Sequence, residues 1–464
     1  MKFDLNKIYQ HMPVFIQNLG VSYYGLKLYR REYGKKFRAM LEEFEKQQWY
    51  SYDELREYQN RLLRKLIKHC YDNVPYYNQV MRGRKLKPED IKGVDDLKKM
   101  PLLTRETIKE HGDELLAGNV NQKKLVIGYT SGTIGVPMKL VWDKRVCLVK
   151  NVVDWRQKSI AGIKPGDRMA FLYASAVVPL NRRKPPFWRY NWILNHLHFS
   201  NYHLLDNVEY YVNKLSAFKP KAIEGYPSLL YVLARFMQSE NIVIPVQAVF
   251  TSSETLMPHQ REALEAVFDC KVFDFYGLAE RDVFATECEF HRGKHLNEDF
   301  GITEVMVDGE RPTKAGEMGR IVATGLHNYA MPLIRYQTTD VTMLASSECA
   351  CGRSFPLMEN VTARDQDFLV TADGRRISPY IVVGITRRFT NIREHQFIQE
   401  DGNSLRILII RSDSYTDEDS RALIEQMKNV FGEKMNIELE FVSSIPRTKS
   451  GKFRAVISKI SAEF

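Results

Sequence analysis

The sequence predicts an α/β fold: a large N-terminal domain of mixed, largely parallel sheets with covering helices, followed by a small α+β C-terminal domain. Two observations predict it. From about residue 125, short apolar runs alternate with amphipathic helical stretches, the pattern of a parallel sheet covered on its faces. From residue 301 the texture changes to hairpin-like strands, and the last hundred residues repeat a smaller strand–helix–strand pattern. At 464 residues the chain is too long for one ordinary core, so two or three domains are expected. The boundaries fall at 1–62 (a helical N-terminal extension), 63–363 (the large domain) and 364–464 (the small one).

In chain order, 37–49 and 53–74 carry apolar residues at helical spacing. Pro75 ends the second of these helices by pushing Val74 out of the α region. Strands are expected at 125–129, 168–174, 222–226, 248–253 and 271–277, with helices at 207–217, 227–240 and 258–269 between them. The stretches 301–307 and 320–326 read as a hairpin around a long turn. At the end come a strand at 405–412, a helix at 417–431 and a strand at 436–442. No internal repeat or low-complexity tract interrupts the series.

Composition is that of a soluble globular protein, 44% hydrophobic and 27% charged, with a net charge of +10. The excess favours anionic partners such as nucleotides, acidic sugars or a lipid surface. Because acids interleave the basic residues throughout, no nucleic-acid partner is expected. Six cysteines, several of them near histidines, suit a reducing compartment better than a disulfide framework. VFIQNLGVSYYGL (14–26) is interrupted by Gln17 and Asn18 and is too short to span a bilayer. The expected location is therefore cytoplasmic, with no transmembrane segment. The aromatic and basic segment 14–36 is compatible with a peripheral membrane contact.

Four stretches carry chemistry. GYTSGTIGVPMKL (128–140) follows an apolar strand and offers unhindered N–H and hydroxyl donors to an anion. It matches neither the P-loop nor the G-x-G-x-x-G pattern, and a plain hairpin turn explains it as well. SSETLMP (252–258) and, after one helix, FDFYGLAE (273–280) put a ring and a carboxylate at the carboxyl edge of the sheet, where open α/β sheets bind ligands. The alternatives are core packing for Tyr276 and a solvated helix start for Glu280. In MPLIRYQTTDVTML (331–344), Asp340 offers two acceptor oxygens that suit a ribose. In IPRTKSGKFRAV (445–456), Lys452 follows Ser-Gly as a cation for charge developing on a phosphate, or is part of a solvated basic tail.

In this order the four stretches resemble the adenylate-forming superfamily of acyl-CoA synthetases, luciferases and peptide-synthetase adenylation domains. Thr130–Lys139 matches its T-S-G-T-x-G-x-P-x-K loop. Tyr276–Glu280 matches Y-G-x-x-E, Arg335–Asp340 matches R-Y-x-T-x-D, and Pro446–Lys452 matches P-R-T-x-S-G-K. NVPYY (73–77), LKKMPLLTRETI (97–108) and EGYPS (224–228) resemble the phenylacetate–CoA ligase branch, and within it the subgroup linked to capsular polysaccharide biosynthesis.

The resemblance runs from about residue 60 to the C-terminus and implies an adenylation domain with a mobile C-terminal lid. It implies that Thr130, Ser131, Gly132, Thr133, Gly135 and Lys139 hold the outer phosphates of ATP. Ser253 and Glu254 would lie beside the adenine, Tyr276 would stack on it, and Gly277 is counted with them among the nucleotide-binding residues. Glu280 would help hold Mg²⁺, and Asp340 and Arg364 would bind the ribose. Lys452 would bridge the substrate carboxylate and the α-phosphate. Lys452 and Glu280 are the catalytic assignments. The chain departs from the pattern at Ile134, at Thr339 and at Gln366, which stands where the domain hinge usually has an acid.

ECEFHRGKH (287–295) and ECACGR (348–353) form a separate constellation. Cys349 and Cys351 in a C-x-C-G turn, with Cys288 and a histidine, could surround a tetrahedral Zn²⁺, or all could be reduced free thiols. His295 is the preferred fourth ligand and His291 the alternative. The resemblance implies that such a zinc is structural. Cys70, Cys147 and Cys270 read as packing residues. Segment 181–199, with Arg182, Arg183, Lys184, Phe187, Trp188 and Trp192, is read either as an acceptor-pocket lining or as an exposed basic turn.

The expected activity is an ATP-dependent, AMP-forming ligase that passes an activated acid to CoA, a carrier thiol or a sugar amine, in capsule or exopolysaccharide synthesis. The acceptor would be a small thiol or a sugar or lipid-linked molecule. Two other readings are AMP transfer to a hydroxyl or phosphate, and a non-catalytic nucleotide-binding component of a polysaccharide assembly machine.

Overall fold

A computed structural model describes Tyr9 and residues 12–130, 138–173, 177–307, 309, 311–359, 361, 363–364, 368–377, 379–386, 389, 391–448 and 452–460. The chain divides into two compact units. The first comprises 1–304, 322–338 and 345–358; the second comprises 305–321, 339–344 and 359–464.

The first unit is built on a nine-stranded sheet. Its centre is five parallel strands in the order Lys271–Gly277, Ala248–Ser252, Ala222–Gly225, Met169–Leu172 and His196–Phe199. Antiparallel strands flank them: Trp188–Asn191 on one side, and Phe284–Thr286, Lys294–Leu296 and Leu357–Met358 on the other. All five residues of Ala248–Ser252 are buried, as expected for a strand covered on both faces. Helices Val208–Phe218, Pro227–Ser239 and Pro258–Phe268 pack against one face, in a core that includes Tyr211, Leu230, Leu233 and Phe268.

These bounds lie within two residues of those the sequence predicts. At the N-terminus, helix Lys35–Gln47 is followed by Tyr52–Asn73, which opens with a reciprocal Ser51–Glu54 capping box. Val74 then adopts φ −111° and ψ 108°, and a new helix starts with Pro75 at its first position.

Three features differ from the expectation. Strand Val126–Tyr129 is not part of the large sheet but pairs with Lys139–Trp142 in its own antiparallel ribbon. Its residues alternate half-buried and exposed, which suits a ribbon covered on one face. Segment 181–199 is more than the exposed basic turn of one of its two readings: Arg183 and Lys184 are exposed ahead of the first strand, but the segment also supplies two sheet strands, with Phe187 and Arg189 fully buried. Helix Lys144–Ile160 escapes the periodicity because its buried residues include Asn151, Asp154, Arg156, Gln157 and Lys158. Each of these side chains has at least one partner, as burial demands, although Gln157 Oε1 is left without one. Arg156 binds Asp299 and donates to the Phe44 carbonyl at 2.8 Å, while Lys158 pairs with Asp154 at 2.6 Å and Glu224 at 3.0 Å.

In the second unit, strands Asn436–Phe441, Ser404–Arg411, Ile392–Asp401 and Val456–Ser458 form a four-stranded sheet in that order. Helix Asp417–Phe431, opened by a Thr416–Asp419 capping box, contributes buried Leu423, Met427 and Phe431. The boundary between the units passes through strands Gly301–Val307, Met318–Gly325 and Tyr336–Met343 of a five-stranded sheet.

Candidate active site

The four adjoining parallel strands that end at Leu172, Gly225, Ser252 and Gly277 present their carboxyl ends on one edge of the first unit. Ser253 and Glu254 leave the third of these strands. Tyr276 and Gly277 close the fourth, whose Phe275 pairs with Ser252, and Glu280 lies three residues beyond Gly277. Ser253 takes a left-handed φ of 70°, a strained choice for a non-glycine residue that tends to mark functional turns. Glu254 is anchored by the Ser228 N–H, which donates to its Oε2 at 3.0 Å. This places a carboxylate at the first turn of helix Pro227–Ser239, where the helix dipole favours negative charge. A Cβ on Gly277 would sit 2.9 Å from the Phe284 ring, so close packing requires glycine there.

Glu280 is buried, and the Tyr336 hydroxyl donates to its Oε1 at 3.2 Å. Burial and then the Glu280 charge hold the Tyr336 phenol far above its ordinary range, so it remains a donor at every working pH. The next residue, Arg281, lays its guanidinium 4.2 Å from the centre of the Trp142 ring. That contact ties the Glu280 turn to the ribbon 126–142. At the ribbon's tip, Thr130 N–H donates to the Met138 carbonyl and Met138 N–H to the Thr130 hydroxyl, both at 3.0 Å. The residues between these two positions, including Ser131, Gly132, Thr133 and Gly135, lie outside the described residues. Thr130 also receives a hydrogen bond from Arg105 Nη2 at 3.3 Å. Lys139 is about half exposed and lies 4.0 Å from the Asp113 carboxylate, a surface pair of little energetic weight.

The remaining assigned residues belong to the second unit. Asp340 is buried and faces Arg364 as its cross-strand partner between Tyr336–Met343 and Ala363–Arg364. Gln366 lies outside the described residues. Lys452 is half-buried. Its N–H donates to the Thr448 hydroxyl and its carbonyl accepts from the Thr448 N–H, each at 3.0 Å, so Lys452 is held to Thr448 by two hydrogen bonds; Ser450 and Gly451 lie outside the described residues. Arg447, beside Thr448, pairs with Glu394 and stacks 4.4 Å from the Phe453 ring centre.

Away from that edge, the donor atoms of Cys288, His295, Cys349 and Cys351 all lie within 4.8 Å of one another. The Cys288 and Cys349 sulfurs are 3.6 Å apart, too far for a disulfide. Cys351 Sγ is 3.3 Å from His295 Nε2. Bond lengths of a tetrahedral zinc imply sulfur–sulfur and sulfur–nitrogen edges of about 3.8 and 3.6 Å, so the cluster has the dimensions of such a site. His295 Nδ1 faces the Phe355 carbonyl at 3.0 Å, fixing the tautomer that leaves Nε2 free to coordinate. Burial also lowers its pKa, keeping the ring neutral. His291, the alternative, turns instead to Glu287 at 3.2 Å. Burial pushes the Cys288 thiol up to about 12. Burial also opposes ionisation of Cys351, yet the Arg353 N–H and guanidinium hold that thiol below its ordinary range.

Three contributors escaped the sequence reading. Tyr336 and Arg105 lie within 331–344 and 97–108, where no role is expected of either. Lys158 anchors a buried chain of polar groups: it pairs with Glu224, which accepts from the Tyr173 hydroxyl at 2.9 Å. That hydroxyl in turn lies 3.2 Å from Ser252 Oγ, directly before Ser253. Tyr336 is the tyrosine of the R-Y-x-T-x-D match and Arg105 is itself a cation within 97–108, so both had a local signal; nothing in the local sequence marked Lys158.

Residues 369–459 match the CapK C-terminal domain family. Over nearly its whole length (98%) the chain is 27% identical to Protein CapK of Staphylococcus aureus, covering 100% of that protein. It is 24% identical to a phenylacetate-coenzyme A ligase of Thermus thermophilus, over 87% of this chain and 96% of the relative. Among solved structures it is similar to 2-hydroxyisobutyryl-CoA ligase in the postadenylation state with R3-HIB-AMP. The TM-score is 0.72 at 20% identity, over 89% of this chain and 91% of that one. The fold is thus that of the adenylate-forming ligases, and the likeness to CapK and to the phenylacetate ligases agrees with the one read from the motifs.

Proposed function

We propose that the chain is an ATP-dependent, AMP-forming ligase that activates a carboxylic acid as an acyl-adenylate and passes the acyl group to CoA, a carrier thiol or a sugar amine. The observation that carries this reading is the grouping at one sheet edge of Ser253, Glu254, Tyr276 and the Tyr336-held Glu280, with the Thr130–Met138 clasp tied to them through Trp142 and Arg281. The similarity to ligases of known chemistry supports it.

In this reading Tyr276 stacks on the adenine beside Ser253 and Glu254. Asp340 and Arg364 take the ribose, and the 130–139 loop takes the outer phosphates. Glu280 would hold Mg²⁺, which supplies positive charge to the polyphosphate. Lys452 offsets the repulsion between the substrate carboxylate and the α-phosphate as the two approach in line. Because the second unit carries this lysine, the reading requires that unit to close over the nucleotide during adenylation. The Cys288, His295, Cys349 and Cys351 cluster would hold a structural Zn²⁺ with every position filled by protein. That leaves it no role in the reaction.

The test is a panel of acids, uronic and amino acids included, incubated with ATP, Mg²⁺ and hydroxylamine. Acid-dependent pyrophosphate release with hydroxamate formation is expected. A stable adenylylated product that hydroxylamine cannot intercept would mean AMP transfer instead.

A further inference from the structure

Helix Val14–Glu32 is built inside out. A surface helix normally turns its apolar stripe to the core and its polar face to water. Here the buried residues are Gln17, Ser22 and Gly25. Phe15, Leu19, Tyr23 and Tyr24 are 63, 47, 60 and 61% exposed, and Ile16 is 43% exposed.

The inward polarity has a physical cause. The helix lies along Trp188–Asn191, the edge strand of the nine-stranded sheet, and an edge strand presents backbone groups that need partners. Asn18 Oδ1 accepts from Tyr190 N–H at 3.1 Å and Ser22 Oγ from Trp192 N–H at 3.0 Å. Gln17 Oε1 accepts from the fully buried Arg189 at 2.6 Å. Gly25 is needed because a Cβ there would meet the Asn191 amide at 2.3 Å. Capping the edge thus accounts for the inner face, but it leaves the outer apolar face without a structural reason. Trp192, itself 43% exposed, extends that face, with its ring 5.7 Å from that of Phe15.

We infer that this face is a docking surface for an anionic lipid bilayer, on which the helix lies in the interfacial plane. Charge complementarity selects this occupant. Between residues 14 and 38 there are six basic residues and one acid, Glu32, which is paired with Arg31. Lys27 stacks 4.6 Å from the Tyr23 ring centre, and Lys27, Arg30, Lys35, Lys36 and Arg38 are exposed. Aromatic rings beside lysines and arginines are the composition that seats a helix among anionic headgroups. A second copy fits worse, because a two-fold contact through this face would bring the same cations against one another. No helix among the described residues is long and apolar enough to cross a membrane, so the contact is peripheral. The inference stands independently of the ligase reading.

The test is cosedimentation of the full chain with vesicles of pure phosphatidylcholine or of phosphatidylcholine mixed with phosphatidylglycerol. Binding to the anionic vesicles alone, weakened by salt, is expected. The double variant F15E/L19E and the double variant K27E/R30E should each lose affinity by about tenfold or more. V243E, at another exposed apolar position (57% exposed), should bind as the wild type does. Because all the altered side chains are exposed, thermal melting should be unchanged. Vesicle binding should also shift tryptophan emission to the blue, and Trp192→Phe should remove that shift. Equal binding to both vesicle types, or to neither, overturns the inference. So does a dimer that F15E/L19E dissociates while vesicles leave it untouched.

Discussion

Replacing Lys158 by methionine removes a cation that is 3% exposed and that bonds Asp154 at 2.6 Å and Glu224 at 3.0 Å. Breaking a buried pair by deleting one partner costs about 3–5 kcal/mol, since it strands the other charge. Glu224 loses this cation while Asp154 keeps Lys150 at 3.5 Å, so about 4 kcal/mol is expected at pH 8, or a fall in Tm of about 6 °C for a unit of this size.

The pH dependence identifies the cause. Burial opposes the Lys158 charge, yet Asp154 and Glu224 raise its pKa above the ordinary lysine value. Its contribution is therefore complete below about pH 10 and fades only as pH rises beyond that. Burial likewise opposes the Asp154 charge, but Lys150 and Lys158 bring its pKa below the ordinary value. That contribution is present above about pH 4 and is lost as pH falls through the lowered pKa. Between pH 5 and 9 the wild-type network is thus constant. In the variant, buried Asp154 lacking Lys158 takes up a proton more readily, so the Tm deficit should shrink between pH 8 and pH 5. Scanning calorimetry of both proteins at the two pH values makes the comparison. A deficit of equal size at both, or one below about 2 °C at pH 8, refutes the electrostatic argument.

Other outcomes follow from the same geometry. Purified protein should carry close to one zinc per chain by elemental analysis, and Cys349→Ser should lose it together with several degrees of Tm; full wild-type stability in metal-free protein would show the cluster to be plain thiols. Glu280→Gln should slow acid-dependent pyrophosphate release by about 10²–10³ and raise the Mg²⁺ concentration required, whereas Tyr336→Phe, which removes one hydrogen bond to that carboxylate, should cost about tenfold. Arg335→Ala should behave differently, because Arg335 bonds Glu304 at 3.0 Å and the Met100 carbonyl at 2.9 Å: chemical denaturation should show a loss of about 3 kcal/mol, with adenylation nearly unchanged at low temperature.

What could be read from the sequence was what local pattern controls. Strand Lys271–Gly277 and helix Asp417–Phe431 match their expected bounds to the residue, because apolar runs, capping residues and turn signals all agree there. Helix Lys144–Ile160 was not read, because its buried face carries Arg156 and Lys158, whose partners Asp299 and Glu224 lie far along the chain. The strands within segment 181–199 were hidden for the same reason: Arg189 is buried against Gln17, 172 residues away. The candidate site followed this rule too. Glu280, Tyr276 and Lys452 stand in recognisable short motifs, whereas Tyr336 gains its position against Glu280 only through tertiary structure. The choice between His295 and His291 also needed the fold, since strand pairing of Lys294–Leu296 with Leu357–Met358 is what sets His295 beside the Cys349–Cys351 turn.

The central claim is that an acid is activated by AMP with Lys452 supplying the charge. It is tested most directly by acid-dependent pyrophosphate release, with hydroxylamine trapping, in wild type and Lys452→Ala. The account predicts hydroxamate and AMP from the wild type. For the variant it predicts a rate lower by about 10²–10³ with ATP affinity little changed. Adenylation by Lys452→Ala at the wild-type rate, or ATP binding by the wild type with no turnover on any acid, would contradict it.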